Sequence, residues 1–266
     1  MIYTITLGHV PARIWEKSLA QYHATRHGGV EYRHLFLNQH YPLNKKENEE
    51  RLREICSTGG VEWLDAGGNL GLHGGFNWVL NKINVQPGDL VIGYDPDSWP
   101  ISSGWDMALL TAVRDPRVGW ASLWGPWVDQ DMADRKARGL LDRIDVGHIE
   151  TWAIRAPIMN SICAFRGDFL KASGGLHENY HWYGTLEIAM WSHLQKNNMR
   201  WVFLPGWRED HTAHFEQDEL YRIWKWRYAH ENKTKKEFAG WLQENGYDQN
   251  AESVIAARAG LSLRSG

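Results

Sequence analysis

Leu90-Val91-Ile92-Gly93-Tyr94-Asp95-Pro96-Asp97 decides how this chain is read. Its first four residues are a short apolar run of the kind that makes a buried strand, and the run delivers two carboxylates at its end. Ionised carboxylates there are costly unless something cationic meets them. Hard divalent metals prefer oxygen ligands, and Mg²⁺ commonly joins one or two carboxylates to the phosphates of a bound substrate. An Asp-x-Asp at a strand end therefore points to a nucleoside diphosphate held through a metal. Asp-Pro-Asp is also ordinary turn chemistry, so the surroundings must decide.

Composition sets the frame. With 266 residues, 43% apolar and 23% charged, the chain is a globular protein able to bury a full core, as one large domain or one domain with an appendage. A net charge of −3 supplies no global basic field and argues mildly against a non-specific polymer binder. No apolar run has the length of a membrane span, and Met1-Ile2-Tyr3-Thr4-Ile5-Thr6 lacks the layout of a signal peptide. Cys56 and Cys163 are too few for a disulfide framework, which makes a cytoplasmic location the expectation. The unusual number is 16 Trp. Indole rings suit stacking on sugars or bases, but most are expected in the core.

Working outward, strands are expected at Ile2–Leu7, Val30–Asn38 and Val61–Asp65, with helices at Ala12–Ala24, Asn44–Cys56 and Leu72–Ile83 between and after them. Gly104–Val113 reads as a helix and Val118–Leu123 as a strand. Trp124–Glu150 shows no clean period and reads as a loop-rich insert. A strand is expected to end at Cys163-Ala164-Phe165, followed by a short helix at Asp168–Ala172, a helix at Leu186–Lys196 and a short strand at Trp201–Leu204. From Gln217 onward the pattern is helical, and Arg222–Tyr228 reads better as a packing stripe than as a nucleic-acid contact. Alternating strands and helices indicate an α/β protein with a Rossmann-like, mostly parallel central sheet flanked by helices. Ligands of such sheets sit beyond the carboxyl ends of the strands. His9, Asn38, the Gly67–Gly71 loop and Asp95/Asp97 all fall at such ends, so four strand ends converge on one crevice.

Several blocks, in order, resemble the GT-A nucleotide-sugar glycosyltransferases, particularly the large family-2 type. Gly68-Asn69-Leu70-Gly71-Leu72-His73-Gly74-Gly75-Phe76-Asn77 is similar to the Asn- and Gly-containing block before the family's central helix. Asp95-Pro96-Asp97 sits at its Asp-x-Asp, and Gly174-Gly175-Leu176-His177-Glu178 is similar to its acceptor-region segment. Trp182-Tyr183-Gly184-Thr185-Leu186-Glu187 falls at its catalytic-carboxylate motif, and Asp210-His211-Thr212-Ala213-His214 lies where many members carry a late metal-binding His. The resemblance runs from Ile2 to His214.

It implies a GT-A-like domain over 1–215 with a helical C-terminal extension over 216–266. The implied reaction moves a sugar from a nucleotide-diphosphate donor, a UDP-sugar being the expected one, to a hydroxyl acceptor with Mn²⁺ or Mg²⁺ as cofactor. Asp97 would bind the metal, with His211 or His214 completing its sphere; Asp95 would reach the ribose, or the metal through water. Asn38 would read the base and His9 pack on it, while Asn69, Gly71 and Asn77 would line the donor loop. Each of these has a plainer reading as a turn or capping residue. Glu187 would be the base, Glu178 its runner-up; it departs from the family pattern because Thr185-Leu186 replaces the usual acidic pair after Gly184. Trp182, Tyr183, Glu178 and Trp207 would meet the acceptor, whether glycan, small molecule, protein side chain or hydroxylated DNA base. A nucleotidyltransferase acting on sugar phosphates, and a non-catalytic glycan- or nucleic-acid-binding module, are the competing readings.

Overall fold

The computed structural model describes residues 1–41, 45–155, 161–175 and 186–212. The helical extension expected for 216–266 lies outside them. The chain begins with three strand–helix units: β1 (Ile2–Gly8), α1 (Ala12–Thr25), β2 (Arg33–Asn38), α2 (Lys45–Thr58), β3 (Glu62–Asp65) and α3 (Gly71–Ile83). Then come β4 (Leu90–Tyr94), the two-residue β5 (Trp99–Pro100), α4 (Trp105–Arg114), β6 (Val118–Trp124), α5 (Pro126–Ala137), β7 (Leu141–Val146) and β8 (Ile149–Ile154). The described part closes with β9 (Ile162–Arg166), α6 (Gly167–Ala172), α7 (Leu186–Lys196) and β10 (Arg200–Asp210).

These strands form one sheet in the order β3-β2-β1-β4-β9-β6-β10-β8-β7, with β5 paired to the end of β10. Pairing is parallel through β3, β2, β1 and β4, and again between β6 and β10. Strand β9 runs antiparallel between β4 and β6. With β8 antiparallel to β10 and β7 to β8, the result is the expected mixed sheet, mostly parallel at its core and flanked by helices. Among the described residues, no helix is long and apolar enough to cross a membrane.

Each face of the sheet buries its own core. On one, α1 presents Ile14, Trp15, Leu19 and Tyr22 at helical spacing to Phe36, Ile92 and Tyr94, with α4 beside it. On the other, Phe76, Val79 and Leu80 of α3 and Met190 and Leu194 of α7 cover Leu35, Val91, Trp120 and Trp201. Neighbouring strands β6 and β10 stack Trp120 on Trp201 at 3.7 Å and 4°, and Trp201 donates its indole N–H to Ser122 Oγ at 2.9 Å. Trp15, Trp105, Trp120 and Trp201 are all fully buried, so these indoles belong to the core. Gly8 at the end of β1 is required by close approach: a Cβ there would overlap the Phe36 ring.

Two stretches differ from expectation. The presumed insert after Trp124 is regular: α5 followed by the β7–β8 hairpin, with Val146 opposite Ile149 and Gly147 in the turn at φ 63°. Glycine there supplies the left-handed conformation that tight hairpin turns need. Its charged residues hide the pattern by leaving little apolar contrast; on the surface Arg155 pairs with Asp142 at 2.6 Å and Arg143 with Glu150 at 3.3 Å. The second difference is β10, which runs on through Pro205-Gly206 to Asp210 by way of a register shift against β6.

His34 on β2 makes the fold pH-sensitive. Burial pushes its imidazole down to about 3 from an ordinary 6.5, and Nε2 shares a 3.0 Å hydrogen bond with Thr6 Oγ1. Between those values the unfolded chain binds the proton and the folded chain does not. Stability is therefore complete above about pH 6.5 and falls toward pH 3, by up to about 1.4 kcal/mol per pH unit from this group. Urea unfolding at pH 7 and pH 5 should show a smaller loss in His34→Gln than in the parent, by about 2 kcal/mol.

Candidate active site

Because β1 to β4 are parallel, their carboxyl ends share one edge. Register places Gly8 beside Asn38 and Asn38 beside Asp65. Strand β9 runs the other way, so its beginning, Ser161-Ile162, reaches the same edge opposite Tyr94. Strand β10, parallel to β6, brings Glu209-Asp210-His211 there as well.

The Asp95–Ser98 turn is fixed from several sides. The Ser98 amide donates to the Asp95 carbonyl at 3.2 Å, closing the turn, and the Asp95 amide donates to the Ser161 carbonyl at 3.3 Å. Ser98 Oγ donates to the Asp210 carbonyl at 3.2 Å, while Ser18 Oγ donates to the Ser98 carbonyl at 3.0 Å. Trp99 then pairs with Asp210 as β5 joins β10. Asp97 is buried within this frame, not spread on the surface as an open Asx-turn would be.

A third carboxylate belongs to the group. Glu209 is only 4% exposed, and its Oε2 accepts the Ile162 amide at 3.0 Å. Burial, then the charges of Asp95 and Asp97, push its carboxyl well above the usual range, against the pull of the Ile162 amide and the Ser161 hydroxyl. Ser161 Oγ also meets His211 Nδ1 at 3.3 Å. Burial and the charge of Asp95 likewise push the Cys163 thiol up.

The chemistry of this donor set fits a divalent cation: carboxylate oxygens, an imidazole, and a buried Glu209 Oε1 without a hydrogen-bond partner among the described residues. Among those residues no three His, Cys, Asp or Glu side chains are grouped so as to hold a metal ion by themselves.

A second group lies at the ends of β2 and β3. Asn38 is 1% exposed; its Oδ1 accepts the His40 amide at 3.0 Å. His40, at φ 52°, places Nε2 3.1 Å from Asp65 Oδ1, and that oxygen also accepts the Gly67 amide at 2.7 Å. Burial works to raise the Asp65 carboxyl, but the Gly67 amide, His40 and Asn38 outweigh it and hold the group below its usual value. Gln39 clamps the loop before α3: Oε1 accepts the Leu70 amide at 2.8 Å and Nε2 donates to the Gly71 carbonyl at 3.1 Å. Asn69 Oδ1 accepts the Gly71 amide at 2.8 Å, and Gly71 sits at φ 72°.

Sequence thus located Asp95, Asp97 and His211 in one neighbourhood, and Asn38, Asn69 and Gly71 in the adjoining loop. His9 follows β1 with its ring edge toward Tyr41, at 6.0 Å between centroids. Asn77 faces elsewhere, toward the Gly174–Gly175 turn, where it helps line a cavity of about 270 Å³. Trp207 is partly buried against the core. Glu187 lies in the first turn of α7. Glu178, Trp182, Tyr183 and His214 lie outside the described residues. Sequence reading missed Glu209, Ser161, Gln39 and the His40–Asp65 pair. Only Asp65, at an expected strand end, carried a usable signal.

No family model and no curated protein matches the sequence. Solved structures do. A structure of GalNAc-T7 with UDP, GalNAc and Mn²⁺ superposes with a TM-score of 0.62 at 10% identity, over 79% of this chain and 43% of that one. The mannosyltransferase PcManGT from Pyrobaculum calidifontis, in complex with GDP-Man and Mn²⁺, gives a TM-score of 0.62 at 14% identity, over 99% of this chain and 70% of that one. The chain thus spans under half of the first and most of the second. It has the GT-A-like fold of nucleotide-sugar glycosyltransferases.

Gln39→Ala would leave the Leu70 amide and Gly71 carbonyl without their buried partner. The expected cost is about 1–3 kcal/mol in urea unfolding, together with faster hydrogen exchange at the Leu70 amide.

Proposed function

We propose that this chain is a metal-dependent glycosyltransferase that moves a sugar from a nucleotide-diphosphate donor to a hydroxyl acceptor. One observation carries the reading: the buried Asp95–Ser98 turn at the end of a parallel strand, with Glu209 and His211 brought against it by β10. The fold supports it, since the neighbours of this fold were solved with Mn²⁺ and with UDP or GDP-Man.

On this reading Asp97 holds the cation, with His211 or His214 as its nitrogen ligand. Ser161 on His211 Nδ1 is the kind of outer partner that ligating imidazoles carry, and favours His211 through Nε2. Bound there, a divalent cation supplies Lewis-acid neutralisation to the departing nucleoside diphosphate. Asp95 orients the donor ribose. His9, Asn38 and the Asn69–Gly71 loop form the nucleoside end, where Asn38 acts by fixing His40 and Asp65. Glu187 takes the proton from the acceptor hydroxyl as the oxygen attacks the anomeric carbon. Glu178, Trp182, Tyr183 and Trp207 are the residues assigned to acceptor binding, and a UDP-sugar is the first donor to try.

The test is donor turnover with UDP- and GDP-sugars and Mn²⁺, scored by released nucleoside diphosphate. Asp97→Ala should abolish it, as should a chelator added to the parent; turnover that survives both sinks the proposal. Release of pyrophosphate instead would identify a nucleotidyltransferase.

Glu187→Gln should lower kcat by about 10²–10⁴-fold with donor affinity nearly unchanged. Loss of donor binding in that variant would remove Glu187 from the base role.

A further inference from the structure

Glu209 does a job that a tether alone does not explain. Its Oε2 satisfies the Ile162 amide at the start of β9, a task that a neutral glutamine oxygen performs equally well. A carboxylate in this place is expensive, being 4% exposed and facing Asp95 and Asp97. Among the described residues no Lys or Arg pairs with it; the preceding Arg208 turns to Asp129 on α5, at 2.8 Å. Oε1 is buried and has no hydrogen-bond partner among the described residues. A buried carboxyl oxygen left without a partner beside two further acids is a place that a cation from outside the protein would satisfy.

We propose that Glu209 is a positioning residue of the cation site: set between the Asp95–Ser98 turn and the start of β9, it supplies a third carboxylate that the bound cation answers. The proposal rests on the glycosyltransferase reading of the site and adds to it a residue that the Asp-x-Asp and the late histidines do not include. Glu209 acts through its neighbours. Its anchored oxygen fixes the distance between β10 and β9, and its charge, added to those of Asp95 and Asp97, raises the affinity of the edge for a divalent ion. The register shift between Leu204 and Arg208 sets its place: β10 rejoins the β6 ladder at Arg208, opposite Trp124, and Glu209, the next residue, reaches Ile162.

The experiment is Mn²⁺ titration of the full chain, followed by electron paramagnetic resonance of free Mn²⁺, with and without UDP, alongside thermal unfolding in chelator. Glu209→Gln keeps an acceptor for the Ile162 amide and removes the charge. Its metal-free melting temperature should equal or exceed the parent's, whereas its Mn²⁺ affinity should fall by about 10–100-fold. Glu209→Asp restores the charge and should recover most of that affinity, which a purely structural role would not predict. Parent-like Mn²⁺ binding by a folded Glu209→Gln overturns the role given to Glu209. Should the glutamine variant not fold, Glu209→Asp with Mn²⁺ affinity no better than that of Asp97→Ala overturns it as well. Failure of the parent itself to bind Mn²⁺, with or without UDP, overturns the reading of the site on which the proposal stands.

Discussion

Acidic groups gathered out of water are the constraint on which the rest of this structure depends. Asp97 and Glu209 are buried, and Asp95 stands beside them at the same sheet edge. Like charges so placed repel, and each loses hydration. The protein holds the arrangement by hydrogen-bonding the backbone around it: the Asp95 amide to Ser161, Ser98 to Asp210, and the Ile162 amide to Glu209 itself. Those bonds join the β4–β5 turn to β9 and β10, three pieces of chain far apart in sequence, so the edge is held by the sheet as a whole.

The underlying support is apolar. Trp120 stacked on Trp201 locks β6 to β10, and the Ser122 hydroxyl accepts the buried Trp201 indole N–H. On the opposite face Trp15, Tyr22, Phe36 and Tyr94 form a ring cluster against α1. Most of the unusual tryptophan content is thereby explained by packing. The bulk of an indole fills the space between a twisted sheet and its helices, and its single N–H needs only one partner.

Much of the first half was legible in sequence because its signals are local. Alternation in β1, apolar runs in β2 and β4, and turn residues between them placed Asp95 and Asp97 at a strand end without any long-range information. What escaped was the part assembled by distant pairing. Pro205-Gly206 reads as the end of a strand, yet β10 survives it by shifting register, and the residues beyond the shift include Glu209. Helix α5 and the β7–β8 hairpin escaped for a different reason: both are rich in charged residues, which leaves little apolar contrast for periodicity to show. Asn38 was found at the right strand end, but its amide serves His40 and Asp65, a second layer that no linear pattern reveals.

An Asp-x-Asp turn at a strand end, if it shares its cation with the substrate as proposed, has a thermodynamic corollary. An ion whose coordination sphere is finished by diphosphate oxygens has no fixed affinity of its own. Each of the two ligands strengthens the other by the same factor, as linkage demands. In the proposed glycosyltransferase, ion and nucleotide would load cooperatively, and the departing diphosphate would carry the ion's hold away with it.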